Sequence, residues 1–83
     1  MDSIREQVKQ IFLRVFDDLK PEEFSFDKKN FEYERWDSLA HMRLIIEIEE
    51  EMGITFDTEA VIGIESVADI VKLIEQIMKG TDR

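Results

Sequence analysis

The 83 residues contain no cysteine, one proline, three glycines and one histidine. Without cysteine, a disulfide framework, a thiolate metal site and a thiol nucleophile of the chain's own are all excluded. A lone histidine leaves little from which to build a metal centre. Basic residues are also scarce, 11 against 20 acidic ones, for a formal charge of −9. That charge repels phosphate backbones and anionic lipid, so nucleic acid and membrane surfaces are not expected partners, whereas basic protein surfaces are. No apolar run approaches the roughly 18 residues of a membrane span. The opening Met1-Asp2-Ser3-Ile4-Arg5-Glu6 has neither the basic start nor the apolar stretch of a signal peptide. A monomeric cytoplasmic protein is the expectation.

What is present is a normal apolar fraction, 43%, under a heavily charged skin, 37%. This is the balance of a folded domain and not of a disordered acidic tail. The length falls below the roughly 100–200 residues that accompany each fold unit, which predicts a single domain over 1–83 and excludes a two-domain enzyme. Stability is on the order of 4–12 kcal/mol, with no covalent staple to add to it.

Hydrophobic spacing predicts an all-α fold. Ser3 and Glu6 have capping-box spacing, and Ile4, Val8, Ile11, Phe12, Val15, Phe16 and Leu19 then form one stripe. A first helix of about four turns follows, ended by Lys20-Pro21 because proline disfavours a helical residue before it. From Pro21 to Trp36 no helical period is sustained. Phe24, Phe26, Phe31, Tyr33 and Trp36 predict a long connection anchored by aromatic rings, with an aromatic ligand cradle as the alternative.

Asp37-Ser38 supplies cap residues for a second helix, whose expected inward face is Leu39, Met42, Ile45, Ile46 and Met52, widened by Leu44 and Ile48, with Gly53 as its stop. Glu47, Glu49, Glu50 and Glu51 crowd its C-terminal end, where the helix dipole already disfavours negative charge. An ordinary solvated face is the usual reading of such a charge run, and an acidic docking surface kept despite the dipole is the alternative. Ile54 and Phe56 should dip into the core. A short third helix carries Ala60, Val61 and Ile62, and Ser66 with Asp69 opens a fourth through Val67, Ile70, Val71, Ile74, Ile77 and Met78. Gly80 to Arg83 should fray. The predicted architecture is a four-helix bundle, three main helices and one short one, with a long loop between the first two.

Catalytic groups are few. Asp37, Ser38 and His41 would make a hydrolase triad only if Asp37 sat behind the imidazole, which one helix start does not readily allow. His41 reads more simply as an exposed or rim residue. Ser38 offers a hydroxyl at a helix N-terminus, on the solvent side of a buried Leu39, where backbone N–H groups and the dipole favour a phosphate. The tripeptide alone is better explained by a serine that merely caps its helix.

The longer segment from Trp36 to Ile54 resembles the acyl carrier protein family: Asp37-Ser38-Leu39, an amphipathic helix ending in an acidic cluster, Gly53, then a hydrophobic re-entry. The resemblance extends to the first helix and long loop, the short helix around Thr58 to Ile62, and the last helix opened by Ser66-Val67. It implies that Ser38 receives 4′-phosphopantetheine from coenzyme A, by a separate transferase that uses Mg²⁺, and that an acyl group rides on the arm's thiol as a thioester. The chain would then be a non-catalytic carrier with an imported sulfur. Asp37 would assist the transferase and its metal, and Leu39 would pack at the base of the arm.

By the same resemblance Ala40, His41, Arg43, Glu47, Glu50 and Glu51 are expected to face partner enzymes with basic docking surfaces. An acyl chain would be sheltered between helices two and three if Met42, Ile46, Met52, Phe56, Val61 and Ile62 line a cleft; core packing explains the same positions. Fatty-acid-synthesis members commonly carry a small residue before the aspartate and acidic residues just after Ser-Leu. This chain has Arg35-Trp36 and then Ala40, His41 and Arg43, which implies a dedicated carrier for a specialised pathway such as polyketide-like, glycolipid or amino-acid-loading chemistry. The alternatives are a D-alanyl or other aminoacyl carrier, an unmodified helical docking domain, and a small hydrolase.

Overall fold

Ser3 starts the first helix as its spacing predicts, its Oγ accepting from the Glu6 N–H at 3.2 Å. In the computed structural model, which describes residues 3–80, α1 spans Ile4–Val15, α2 Ser38–Met52, α3 Thr58–Gly63 and α4 Val67–Gly80. Among the described residues there is no strand, only an isolated bridge between Lys29 and Ser66. The all-α architecture of three main helices and one short one is therefore observed. Gly80, where fraying is expected to begin, is instead the last residue of α4, and residues 81–83 lie outside those described.

The first helix stops earlier than its apolar stripe suggests, at Val15. Phe16 leaves helical geometry, with φ −102° and ψ 66°, and stacks its ring 4.5 Å from Phe12. Asp17 and Asp18, which follow, are poor helix formers and oppose the dipole at this end, so the helix stops well before Pro21 is reached.

Phe12 organises the core. Besides Phe16, the rings of Phe24, Tyr33 and Trp36 lie 5.2–5.4 Å from it. The long connection is thus pinned to α1 by its aromatics. Phe26 joins through Phe24 at 4.9 Å, with the Arg5 guanidinium 4.0 Å above its ring. Phe31 is the exception: it points to solvent, 81% exposed, because it sits on the outside of a 3-10 turn at Asn30–Glu32. That turn and its counterpart at Pro21–Glu23 are closed by the same device, a glutamate at the third position reaching back to the preceding backbone N–H. Glu23 accepts from Lys20 at 3.0 Å and Glu32 from Lys29 at 2.8 Å. Backbone bonds Asn30 N–H to Glu65 O and Ala68 N–H to Phe26 O then tie the connection to the start of α4.

α1 packs against both α2 and α4. α4 contributes Val67, Ile70, Val71 and Ile74 to the interior, and its start is capped by Ser66 Oγ on the Asp69 N–H while the Asp69 carboxylate reaches back to the Glu65 N–H. Gly53 ends α2 at φ 66° and ψ 37°, the left-handed geometry that favours glycine.

The inward face of α2 differs from the expected one. Leu44, Ile45 and Ile48 are buried, whereas Leu39 is 84% exposed and Met42 and Ile46 are about half exposed. Two apolar stripes run along this helix. Packing against α1 covers the one that includes Leu44 and Ile48 and leaves Leu39, Met42 and Ile46 outside.

Candidate functional site at the start of the second helix

Asp37 and not Ser38 caps α2. Its Oδ1 accepts from the Ala40 N–H at 2.9 Å and its carbonyl from the His41 N–H at 2.8 Å. Serines at two other helix starts have their oxygens engaged, Ser3 on Glu6 and Ser66 on Asp69. Ser38 is exposed, and no group among the described residues hydrogen-bonds its hydroxyl. The first turn of α2 holds no acidic residue, so only the capping carboxylate of Asp37 offsets the positive end of the dipole there.

An exposed hydroxyl, uncommitted because its neighbour supplies the cap, at a terminus that favours an anion, fits a phosphodiester-linked group. Leu39, which the sequence places beneath this hydroxyl as a buried residue, instead stands beside it in solvent. That leaves it free to contact any group attached at this helix start.

The triad reading does not assemble. Trp36 donates its Nε1–H to His41 Nδ1 at 2.8 Å, and His41 Nε2 lies 2.9 Å from the Val61 carbonyl oxygen. With Nδ1 accepting, Nε2 carries the proton and donates to that carbonyl. Neither ring nitrogen is available to Ser38 or Asp37. His41 is half-buried and not exposed, its ring 5.8 Å from Trp36 with the two planes 24° apart. A buried indole N–H needs an acceptor, and that was the one sequence signal for this pair. Nothing in the sequence marks the Val61 carbonyl.

The acidic cluster divides. Glu47 and Glu51 both pair with Arg14 of α1, and Glu49 Oε2 accepts from the Phe56 N–H at 2.8 Å, holding the chain after Gly53 against α2. Glu50 alone is exposed with no partner among the described residues. Three of the four carboxylates thus have partners inside the fold, which offsets their unfavourable place on the dipole.

Of the other positions singled out from the sequence, Ala40 is half-buried and Arg43 is exposed, with no ion pair among the described residues. Met42, Ile46 and Ile62 are exposed, Ile62 at 77%; Met52 is half-buried; Phe56 and Val61 are buried. None of these six lines the shallow depression of about 260 Å³ between α3 and α4, which is formed by Ala60, Gly63, Ile64, Asp69, Lys72, Leu73 and Gln76. No group of three or more His, Cys, Asp or Glu residues among those described is placed to hold a metal ion, and no described helix is long and apolar enough to cross a membrane.

No curated protein matches the chain. A sequence model of the phosphopantetheine attachment site does match, over residues 6–74, from the first turn of α1 into the last helix and across the whole of the Asp37-Ser38 helix start. The chain belongs to the phosphopantetheine attachment site family, that of the acyl carrier proteins, and is a domain to which 4′-phosphopantetheine is covalently attached.

Proposed function

We propose that Ser38 is the residue modified, and that the chain is a non-catalytic, monomeric, cytoplasmic carrier of acyl groups in a specialised biosynthetic pathway. The observation that carries this is the uncommitted Ser38 hydroxyl beside a cap made by Asp37. When bound, 4′-phosphopantetheine supplies the thiol on which an acyl group rides as a thioester, a sulfur the chain lacks.

The chain's own residues have simpler tasks. The Ser38 oxygen attacks coenzyme A held by a separate Mg²⁺-dependent transferase, its proton passing to that enzyme as 3′,5′-ADP leaves. Asp37 keeps the helix start formed and presents its second carboxylate oxygen toward the transferase's metal. Leu39 and the exposed apolar side chains of Met42 and Ile46 give partners a surface next to the attachment point, with Arg43 and Glu50 setting the charges a partner must match. Arg43 on that surface favours partners with a carboxylate facing it, which supports dedicated enzymes over general fatty acid synthesis.

Trypsin tests the attachment residue directly. Cleavage after Arg35 and Arg43 releases Trp36–Arg43, in which Ser38 is the one hydroxyl side chain. After incubation with coenzyme A and a broad-range phosphopantetheinyl transferase, that peptide should carry the added mass. Modification on any other peptide would exclude Ser38. Loading assays with amino acids and fatty acids then separate an aminoacyl from an acyl carrier.

A further inference from the structure

Three elements meet at one imidazole. Trp36, at the end of the long connection and only 7% exposed, donates to Nδ1 of His41 on α2, and Nε2 of the same ring donates to the Val61 carbonyl on α3. The remaining ties that hold α3 are weak in kind. It has six residues, too few to be stable alone, and its N-cap Asp57 makes no side-chain bond to it. Val61, with Ile64 just after the helix, is buried, while Ile62 faces solvent. His41 Nε2 therefore supplies a side-chain hydrogen bond that ties this short helix to α2, while Nδ1 ties the same ring to Trp36.

The bridge also stands at a boundary between two apolar surfaces. Outside it, Leu39, Met42 and Ile46 on α2 and Ile62 on α3 are exposed; inside it, Phe56, Val61 and Ile64 are buried. We infer that the Trp36–His41–Val61 bridge is a latch: it holds α3 shut against α2, so that cargo tethered at Ser38, three residues before His41, rests on the outer apolar face. Cargo enters between the helices only when the His41–Val61 bond opens. The cargo part rests on the Ser38 reading above; the latch itself does not. His41 is on this view a positioning residue, acting through α3 and not on the cargo.

Hydrogen exchange of the unmodified protein, followed by NMR, tests the latch. His41→Leu removes both bonds and should speed exchange of the Val61 and Ile64 amides about tenfold more than that of Phe12 in α1 and Ile74 in α4, the excess being the protection that the bond to Val61 gives α3 beyond its share in global stability. His41→Gln, whose amide both accepts and donates, should restore part of the protection. Unchanged exchange at Val61 and Ile64 in His41→Leu, or equal acceleration at Phe12 and Ile74, overturns the latch. So does a wild-type imidazole found with its proton on Nδ1 by long-range ¹H–¹⁵N correlation, a readout that needs no variant to fold.

With an octanoyl-phosphopantetheine arm installed, the wild type should show shift changes at Leu39, Met42, Ile46 and Ile62, and His41→Leu should add Phe56, Val61 and Ile64. Identical shift changes in both proteins contradict the gating role. Failure of the arm to attach at Ser38 counts against the Ser38 reading alone, and the exchange rates then decide the latch by themselves.

Discussion

The indole Nε1–H of Trp36 donates to Nδ1 of His41 across 2.8 Å, spanning the Asp37 cap that begins α2. This single bond ties the long connection to the helix that carries Ser38. Trp36→Phe keeps most of the ring packing on Phe12 but leaves the imidazole without its donor. It should cost about 1–2 kcal/mol in urea unfolding followed by circular dichroism. A change of only a few tenths would mean that the bond contributes little beyond ring packing.

Phe12 is fully buried and touches four other rings. Phe12→Ala should lose about 3–5 kcal/mol, a large fraction of the roughly 4–12 kcal/mol that a chain of this size has. The long connection should loosen first. Its readout is hydrogen exchange at Tyr33 and Trp36, whose amides bond to carbonyls within the connection.

Tyr33 links stability to alkaline pH. Burial pushes its phenol above the ordinary value of 10.0, the Glu32 carboxylate adding to this and the hydrogen bond to the Ser25 backbone opposing it. The neutral phenol is the form the fold favours, donating to Ser25 O at 3.0 Å and accepting from Ser25 N–H at 3.1 Å. The unfolded chain releases this proton first as pH rises. The contribution is therefore complete below about pH 10 and lost as pH climbs through the higher folded-state value. Tyr33→Phe should flatten this alkaline decline in a series of melting curves.

Gly53 is the one described residue at positive φ, and a Cβ added there would meet nothing within 4 Å. The penalty of Gly53→Ala is therefore backbone strain alone, about 1–2 kcal/mol. Gly53→Asn, which tolerates the left-handed region better, should cost less. Equal losses for the two would point to a cause other than φ.

Local chemistry made the helix ends at Ser3, Asp37, Gly53 and Ser66 readable, because caps and a left-handed stop depend on a few adjacent residues. The early end of α1 was not, since the apolar spacing of Val15, Phe16 and Leu19 continues past the point where Phe16 turns to stack on Phe12. The orientation of α2 was hidden for a different reason. Leu39, Met42 and Ile46 form a stripe as regular as that of Leu44, Ile45 and Ile48, and only the placement of α1 decides which is covered. Internal use of Glu47, Glu49 and Glu51 depends on Arg14 and on the Phe56 amide, distant in sequence. His41 was legible as a residue of the site's helix but not as its tie to α3, because its partner there is a backbone carbonyl.

The carrier reading rests on the Ser38 oxygen, and intact mass after exposure to coenzyme A and a broad-range phosphopantetheinyl transferase tests it most directly. The wild type should gain one phosphopantetheine and Ser38→Ala none, with both proteins folded by circular dichroism. An equal gain on Ser38→Ala, or no gain on the wild type with several transferases, would contradict it.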